Sequence, residues 1–322
     1  LRGMASRKNL QELVSQLLTH VELATGAYKN DLVLKILEMC SGEKYALVSD
    51  FGWYLNVLWT LAHMRGIHAH ALLLQQQVTD VALRVLPVRP YAVQRSMQVL
   101  TEQEESTTGG GSGTANVEDN GRGKQVMIEI LPAFAWIVGE YSDLIKDADG
   151  EYHYDATSRG KYHSLVQVLV APSNIRKLPT TTQSVCVQAA MKVFAAATAD
   201  KKVSSQELEA CVETLSRYLP VYMESTDVEV QERAFTSNEL LRSLNVCSVI
   251  GDVPGLAVAD SDDEADDGNL LGIAQAPIRS KPSSIMTSSS LSARCRAASE
   301  TLNYILKPEP MKPTGANAQR KK

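Results

Sequence analysis

The sequence has no apolar run long enough to cross a membrane. Its longest uninterrupted apolar stretch covers the nine positions from Ile130 to Val138, whereas a spanning helix needs about 20 mostly apolar residues. The first ten residues, LRGMASRKNL, lack the apolar core of a signal peptide and begin with Leu rather than Met. These features predict a fragment of a longer chain, with neither a signal peptide nor a membrane span.

Cysteine pairs and nucleotide motifs are missing as well. The five cysteines form no Cys-x-x-Cys pair, which predicts reduced thiols inside cores rather than a zinc site or disulfides. The glycines at 109–113 lack the order of a dinucleotide fingerprint, and Gly123-Lys124 is followed by Gln125 where a phosphate loop needs Ser or Thr. We therefore expect no cofactor and no catalytic residue.

The chain also lacks a strong excess of charge and a strand pattern. Its net charge is −5, which gives no reason to expect nucleic acid as a partner. No stretch alternates apolar and polar residues between turn dipeptides, so we expect essentially no sheet.

Helical periodicity is what the sequence has in abundance. Apolar residues recur at i, i+3, i+4 and i+7 in segments that begin near residues 8, 30, 51, 70 and 90, which predicts a series of amphipathic helices. Two helices for each stretch of about 40 residues is the period of HEAT and armadillo repeats. We expect an all-α solenoid of paired helices over residues 1–246.

Polar residues predict where two of the later helices begin. Ser204 with Glu207, and Thr226 with Glu229, have the spacing of a capping box. An earlier cap is expected at Asn30 or Asp31.

The stretch EILPAFAWIVGEYSDL, residues 129–144, is apolar on most sides of a helix, so we expect neighbouring helices to bury it. Pro132 cannot donate a helical hydrogen bond and predicts a kink or a new helix start. Gly139 costs about 1 kcal/mol of helix propensity relative to Ala, which the close approach of an adjacent helix would explain.

Two segments break the helical pattern. Residues 104–123 are rich in Gly, Ser and Asn and predict a flexible insert between helices. Residues 247–322 are acidic over 251–278 and basic over 279–322, which predicts a disordered tail, although SETLNYILK within it has the pattern of a short helix that is marginal without a partner.

Histidines supply the best candidate for a metal site. His63, His68 and His70 lie in HMRGIHAH, but no further ligand pair accompanies them, and solvated turn residues are the favoured interpretation. His153 and His163 flank a polar loop in which no nucleophile is paired with a base. A metal-dependent enzyme that uses the first three histidines stays as an alternative.

The tail contains short motifs. Ser261 precedes three acids and fits an acidophilic kinase site, where phosphate would add about −2 to an acidic run. Asp266 with Leu270 and Leu271 fits an acidic dileucine sorting motif.

Several segments, read in order, resemble one family. LVLKILEMCSGEKYALVSDFGWYLNVLWTLA, VTDVALRVLPVRPYAV, FAWIVGEYSDLI, VCVQAAMKVFAA and STDVEVQERAFTSNELL resemble the trunks of the large adaptin chains of vesicle-coat adaptor complexes. The Lys44-Tyr45 pair before Phe51, Trp53 and Tyr54 is most similar to the delta branch, from adaptor complex 3. The resemblance covers about residues 8–246.

The resemblance implies a non-enzymatic scaffold in a heterotetramer with a beta-type large adaptin, a medium subunit and a small subunit. It implies a cytoplasmic chain, peripheral on Golgi and endosomal membranes through the complex, that helps recruit cargo bound for lysosome-like organelles. The candidate core or partner anchors are Trp53, Tyr54, Trp59, Trp136 and Gly139. Another HEAT-type scaffold, such as a nuclear transport receptor, is the alternative within the same fold class.

Overall fold

The computed structural model describes residues 5–108, 127–147, 160–246 and 290–307, and these residues contain helices and no strands. The α-helices are α1 Leu10–Leu23, α2 Gly26–Tyr45, α3 Phe51–Ala62, α4 Ala71–Arg84, α5 Arg89–Thr108, α6 Leu131–Glu140, α7 Lys161–Val170, α8 Pro172–Ile175, α9 Thr180–Ala199, α10 Ser205–Met223, α11 Val228–Ser243, α12 Leu291–Ala297 and α13 Ser299–Leu306. Short 3₁₀ turns lie at His68–His70, Leu86–Val88, Ile128–Ile130 and Ser142–Asp147. None of the described helices is long and apolar enough to span a membrane.

The helices stack in two layers. Helices α4, α6, α9 and α11 contact one another in sequence along one layer, and α5, α7 and α10 do the same along the other. Cross-layer pairs such as α5–α6, α7–α9 and α10–α11 bury the apolar stripes between the layers. This is the arrangement of a solenoid of helix pairs, and the predicted fold class is confirmed.

Side-chain caps fix several helix starts. Asp50 accepts a hydrogen bond from the Trp53 amide at the start of α3, and Ser204 accepts one from the Glu207 amide at the start of α10, as its spacing predicts. The start of α11 is capped by Asp227, so the prediction of Thr226 was wrong by one residue. Thr and Asp side chains can both cap a helix, and here the Asp227 carboxylate forms the cap.

The start of α2 also differs from its prediction. The helix begins at Gly26, with Thr25 before it, rather than after Asn30 or Asp31. The polar residues at its start do not interrupt the helix, because Asn30 donates its side-chain amide to the Gly26 carbonyl within the first turn.

Helix α6 is the inner helix that the sequence predicts. It begins at Leu131, so Pro132 lies in the first turn, where its missing N–H has no helical partner to lose. A 3₁₀ turn at Ile128–Ile130 precedes it. Seven of its ten residues are buried, which confirms that neighbouring helices cover it on most sides.

Gly139 lets α6 and α9 approach each other closely. A Cβ atom at this position would lie 2.8 Å from the Cα of Ala189 and 2.9 Å from its Cβ. No side chain fits at these distances without a shift of one backbone relative to the other. Gly139 therefore sets the spacing of the α6–α9 contact.

Residues 290–307 correct the prediction of a disordered tail in part: α13 coincides with the short helix expected in SETLNYILK, whereas α12 was not predicted. They form α12 and α13, which pack against α9 and α10 and bury Cys295, Ala298 and Leu302. Arg296 donates from Nη1 to the Asp200 carbonyl at 3.1 Å and from Nη2 to the Val203 carbonyl at 2.6 Å. The solenoid supplies the partner that such short helices need.

The boundary of the predicted insert also differs from the structure. Helix α5 continues to Thr108, so the first five residues of the segment 104–123 are helical. The rest of that segment, like residues 247–289 and 308–322 of the predicted tail, lies outside the described residues.

We expect Gly139→Ala to destabilise the solenoid. The added methyl group overpacks the α6–α9 contact, which typically costs about 1–3 kcal/mol, so the free energy of unfolding measured with urea should fall. Gly52→Ala is the matched control, because the nearest atom to its Cβ is a side-chain oxygen of Asp50 at 3.2 Å rather than a helix backbone. Equal effects of the two substitutions would contradict the spacing role of Gly139.

We expect Arg296→Ala to loosen α12 and α13. Hydrogen bonds to charged groups contribute about 1.5–3 kcal/mol, so labelling of the buried Cys295 thiol by a thiol reagent should become roughly tenfold faster or more, measured in a Cys247→Ser background. Tyr304→Ala serves as the control, because this side chain is 83% exposed. An unchanged labelling rate in Arg296→Ala would show that the guanidinium does not hold the helices in place.

Candidate interaction surface

An aromatic cluster surrounds the turn between α2 and α3. The ring of Tyr45 packs 6.0 Å from Phe51 and 5.9 Å from Tyr54, and the Tyr45 hydroxyl donates to Asp80 at 3.0 Å. Tyr54 is fully buried and its hydroxyl donates to Gln77, whereas Trp53 is half-buried beside it. This cluster therefore belongs mainly to the core, and its exposed edge is that of Trp53.

The backbone at the end of α2, just before this turn, departs from regular helix. Glu43, Lys44 and Tyr45 have φ values of 50°, 58° and 65°. These values lie in the left-handed region, which residues other than glycine seldom adopt. The hydroxyl bond to Asp80 and the aromatic contacts of Tyr45 hold the last of the three residues in place. Sequence reasoning selected Lys44 and Tyr45 by resemblance alone, and no local signal predicts this conformation.

Trp59 and Trp136 have different environments. Trp59 is 1% exposed, stacks on Phe134 with a centroid distance of 6.1 Å, and meets Tyr91 edge-on. Trp136 is only partly buried and packs edge-on against Tyr141 at 5.9 Å. Trp59, like Tyr54 and Gly139, lies in the core, whereas Trp53 and Trp136 retain exposed edges.

Exposed apolar side chains offer contact surface to partners. They lie at the end of α1 and the start of α2, on α4 and the 3₁₀ turn after it, on the 3₁₀ turn before α6, on α11 and on α13. They are Leu23, Tyr28, Leu72, Leu83, Leu86, Ile128, Val228, Phe235, Tyr304 and Ile305. Val228 and Phe235 are seven residues apart on α11, so they lie on one face of that helix.

The three histidines of HMRGIHAH make separate contacts. His63 Nδ1 lies 2.7 Å from the Trp59 carbonyl, and His68 Nδ1 lies 3.3 Å from a carboxylate oxygen of Glu129. His70 lies on the 3₁₀ turn, and its buried Nε2 has no hydrogen-bond partner among the described residues. Within the described part of the chain, no group of three or more His, Cys, Asp or Glu side chains is placed to hold a metal ion.

The polar loop ends in a buried cap for α7. Glu207 on α10 accepts hydrogen bonds from the amides of Tyr162 and His163, at 2.8 and 3.4 Å. Gly160 has a φ of +123°, and a Cβ there would lie 2.1 Å from the Glu207 carboxyl carbon. His163 Nε2 lies 3.1 Å from the Thr214 hydroxyl. The described residues thus form a structural contact between helices, and His153 lies outside them.

Burial is the main reason that the pKa of Glu207 is raised, and the two backbone N–H donors oppose the increase. Sequence reasoning assigned Glu207 to a reciprocal capping box at its own helix. Its carboxylate instead caps α7 by accepting from the amide of Tyr162, 45 residues earlier, a contact that no local spacing can reveal.

The motif residues of the predicted tail, Ser261, Asp266, Leu270 and Leu271, lie outside the described residues. The phosphorylation site and the dileucine motif stay predictions.

Comparison with known proteins identifies relatives of one kind. The model of the adaptin N terminal region matches residues 1–245. AP-3 complex subunit delta-1 of Bos taurus is 30% identical over 245 residues, which are 75% of this chain and 18% of that protein. AP-3 complex subunit delta of Dictyostelium discoideum is 30% identical over 267 residues, and the match covers 75% of this chain and 21% of that protein. The chain thus spans about a fifth of the length of these relatives.

A structural comparison supports the fold. The structure described as "Homology model of the full-length AP-3 complex in an intermediate open conformation" contains a chain that matches with a TM-score of 0.53 at 20% identity. The match covers 76% of this chain and 41% of that one.

We expect the stability of the protein to reflect the raised pKa of Glu207. A carboxyl group whose pKa is higher in the folded state favours folding below its unfolded pKa, and this contribution is lost as the pH rises through the folded pKa. Glu207→Gln cannot ionise, so its free energy of unfolding should increase relative to that of wild type between pH 4 and pH 7. Urea titrations at several pH values measure this trend.

The control for this pH dependence is Glu209→Gln, which removes an exposed carboxylate from the same helix. If wild type instead gained stability relative to Glu207→Gln between pH 4 and pH 7, the raised pKa of Glu207 would be contradicted.

Proposed function

The chain belongs to the adaptin family, and on that premise we propose that it is a non-enzymatic scaffold of a vesicle-coat adaptor complex. The observation that carries the proposal is the match of residues 1–245 to the adaptin N terminal region. The names of the relatives, AP-3 complex subunit delta, favour the delta branch, as the sequence resemblance does. The mechanism is binding: the packed helix pairs present a fixed surface on which partner chains dock.

The partners of this scaffold are a beta-type large adaptin, a medium subunit and a small subunit. The structural relative is a chain of a full-length AP-3 complex, and this supports assembly with other adaptor chains. The chain then acts in the cytoplasm on Golgi and endosomal membranes and reaches them through the complex. Its contribution to cargo recruitment is to hold the other subunits in place.

The exposed face of α11 is the part of the described surface that best fits a partner contact. Val228 and Phe235 are 70% and 53% exposed, although both are large apolar side chains. Burial of such side chains in an interface removes apolar area from water and favours association. Trp53 and Trp136, with their exposed edges, are further candidates, whereas Tyr54, Trp59 and Gly139 act by shaping the core.

We expect Phe235→Glu to weaken recovery of the other adaptor subunits. The tagged chain is purified from its source cell, and co-purified proteins are quantified by mass spectrometry. Loss of one buried aromatic anchor typically costs about 2 kcal/mol or more, so recovery should fall by about tenfold or more. Thr236→Glu is the matched control, because it places the same charge on the adjacent exposed residue.

Circular dichroism of both variants separates loss of binding from loss of folding. Recovery of importin cargo, or of no partner at all with the unmodified chain, would refute the adaptor function. Equal recovery with Phe235→Glu and the unmodified chain would refute only the role of the α11 face.

A further inference from the structure

Two arginines precede a serine in the segment that forms α12 and α13. Residues 294–299 read RCRAAS, so Arg294 and Arg296 lie five and three residues before Ser299. This is the charge pattern by which arginine-directed protein kinases select a serine, because acidic groups of the kinase bind both guanidinium groups. The pattern is distinct from the acidic one at Ser261, and it lies in a part of the chain that the structure describes.

Docking of the segment occupies both arginines. Arg296 lies against the end of α9 and the turn after it, where it donates to the carbonyl groups of Asp200 and Val203. The Nε of Arg294 is buried. A kinase cannot bind both guanidinium groups in this state, so it recognises the serine only when α12 and α13 have left the solenoid.

The docked segment is weakly held. Its two helices have seven and eight residues, and helices of this length are marginal without packing. Leu302 is fully buried, but the neighbouring Tyr304 and Ile305 are 83% and 51% exposed. The buried Nε of Arg294 has no hydrogen-bond partner in the described part of the chain, which disfavours docking further. Elements with so few buried contacts open locally at low cost in free energy.

Ser299 lies in the first turn of α13, beside α9. The Nδ2 of Asn303 lies 3.2 Å from the Ala195 carbonyl oxygen on α9 and 3.5 Å from the Ser299 hydroxyl oxygen, so one amide group bridges the serine and α9. The bridge is near the C-terminal end of α9, which carries partial negative charge, and Glu300 follows the serine directly. A phosphate group disfavours packing when it lies near a helix C-terminus or next to an acidic residue.

A phosphate on Ser299 also competes for Arg296, three residues earlier. Hydrogen bonds from a guanidinium to phosphate are stronger than those to neutral carbonyl groups, so Arg296 would exchange its contacts on the solenoid for the phosphate. The N-terminus of α13 itself favours negative charge, but this effect is weaker than the loss of the hydrogen bonds that a charged group makes. The net effect of the phosphate is release of the segment.

We propose that Ser299 is a phosphorylation site for an arginine-directed kinase, which modifies the undocked segment and thereby keeps α12 and α13 off the solenoid. The kinase transfers the γ-phosphoryl group of ATP: a bond forms between phosphorus and the Ser299 hydroxyl oxygen, the bond to the ADP oxygen breaks, and the hydroxyl proton is released. The segment lies beyond residues 1–245, which match the adaptin N terminal region. The site therefore does not depend on the proposed scaffold function.

Phosphorylation of the full chain by purified protein kinase B and ATP tests the site and its masking. Ser299 phosphate is followed over time by peptide mass spectrometry. Leu302→Asp places a charge in the buried contact without changing RCRAAS, so we expect phosphorylation at least tenfold faster than in wild type. Tyr304→Ala is the matched control and should react at the wild-type rate, because its side chain is exposed. Asn303→Ala, which removes the bridging amide, should also react faster, and it replaces Leu302→Asp if circular dichroism shows that variant to be unfolded.

Thiol labelling tests the release. In the Cys247→Ser background, the buried Cys295 should react with a thiol reagent at least tenfold faster after Ser299 is phosphorylated, and phosphatase treatment should restore the slow rate. Absence of Ser299 phosphate from both wild type and the undocked variant would overturn the site. Equal phosphorylation rates in the two proteins would overturn the masking, and unchanged or slower Cys295 labelling in the phosphorylated chain would overturn the release.

Discussion

Burial of helix α9 on most of its surface is the constraint on which the solenoid depends. Fourteen of its twenty residues are buried, and α6, α7, α11 and α13 all pack against it. Where neighbouring helices approach this helix most closely, small side chains are needed to keep normal interior packing density. The six alanines of α9, together with Gly139 opposite Ala189, meet this condition.

Two helix ends inside this packing are completed by side chains that come from distant parts of the chain. The Glu207 carboxylate accepts hydrogen bonds at the N-terminus of α7, and the Arg296 guanidinium donates to carbonyl groups just beyond the C-terminus of α9. An anion at the first end and a cation at the second both match the helix dipole. Helix termini that α10 and α12 cover thus keep their backbone groups satisfied without water.

The sequence predicts the elements of this fold better than the contacts between them. Apolar stripes, Pro132 and the Ser204 cap are local signals, and the helices begin within a few residues of the expected positions. The partner of Glu207 and the folding of residues 290–307 depend on groups 45 and about 100 residues away, which periodicity cannot detect. The left-handed turn at Glu43–Tyr45 was missed for the same reason, since Asp80 helps to hold it.

Docking of α12 and α13 has a consequence for the order in which the molecule assembles. Most solenoid contacts join helices that are close in sequence and can form as soon as both are present. The bond from Arg296 to the Thr198 carbonyl spans 98 residues, so its loop-closure entropy must be overcome before the contact contributes any stability. During synthesis, α9 therefore leaves the ribosome long before its final cover, and the groove beneath α13 is transiently an apolar surface accessible to chaperones.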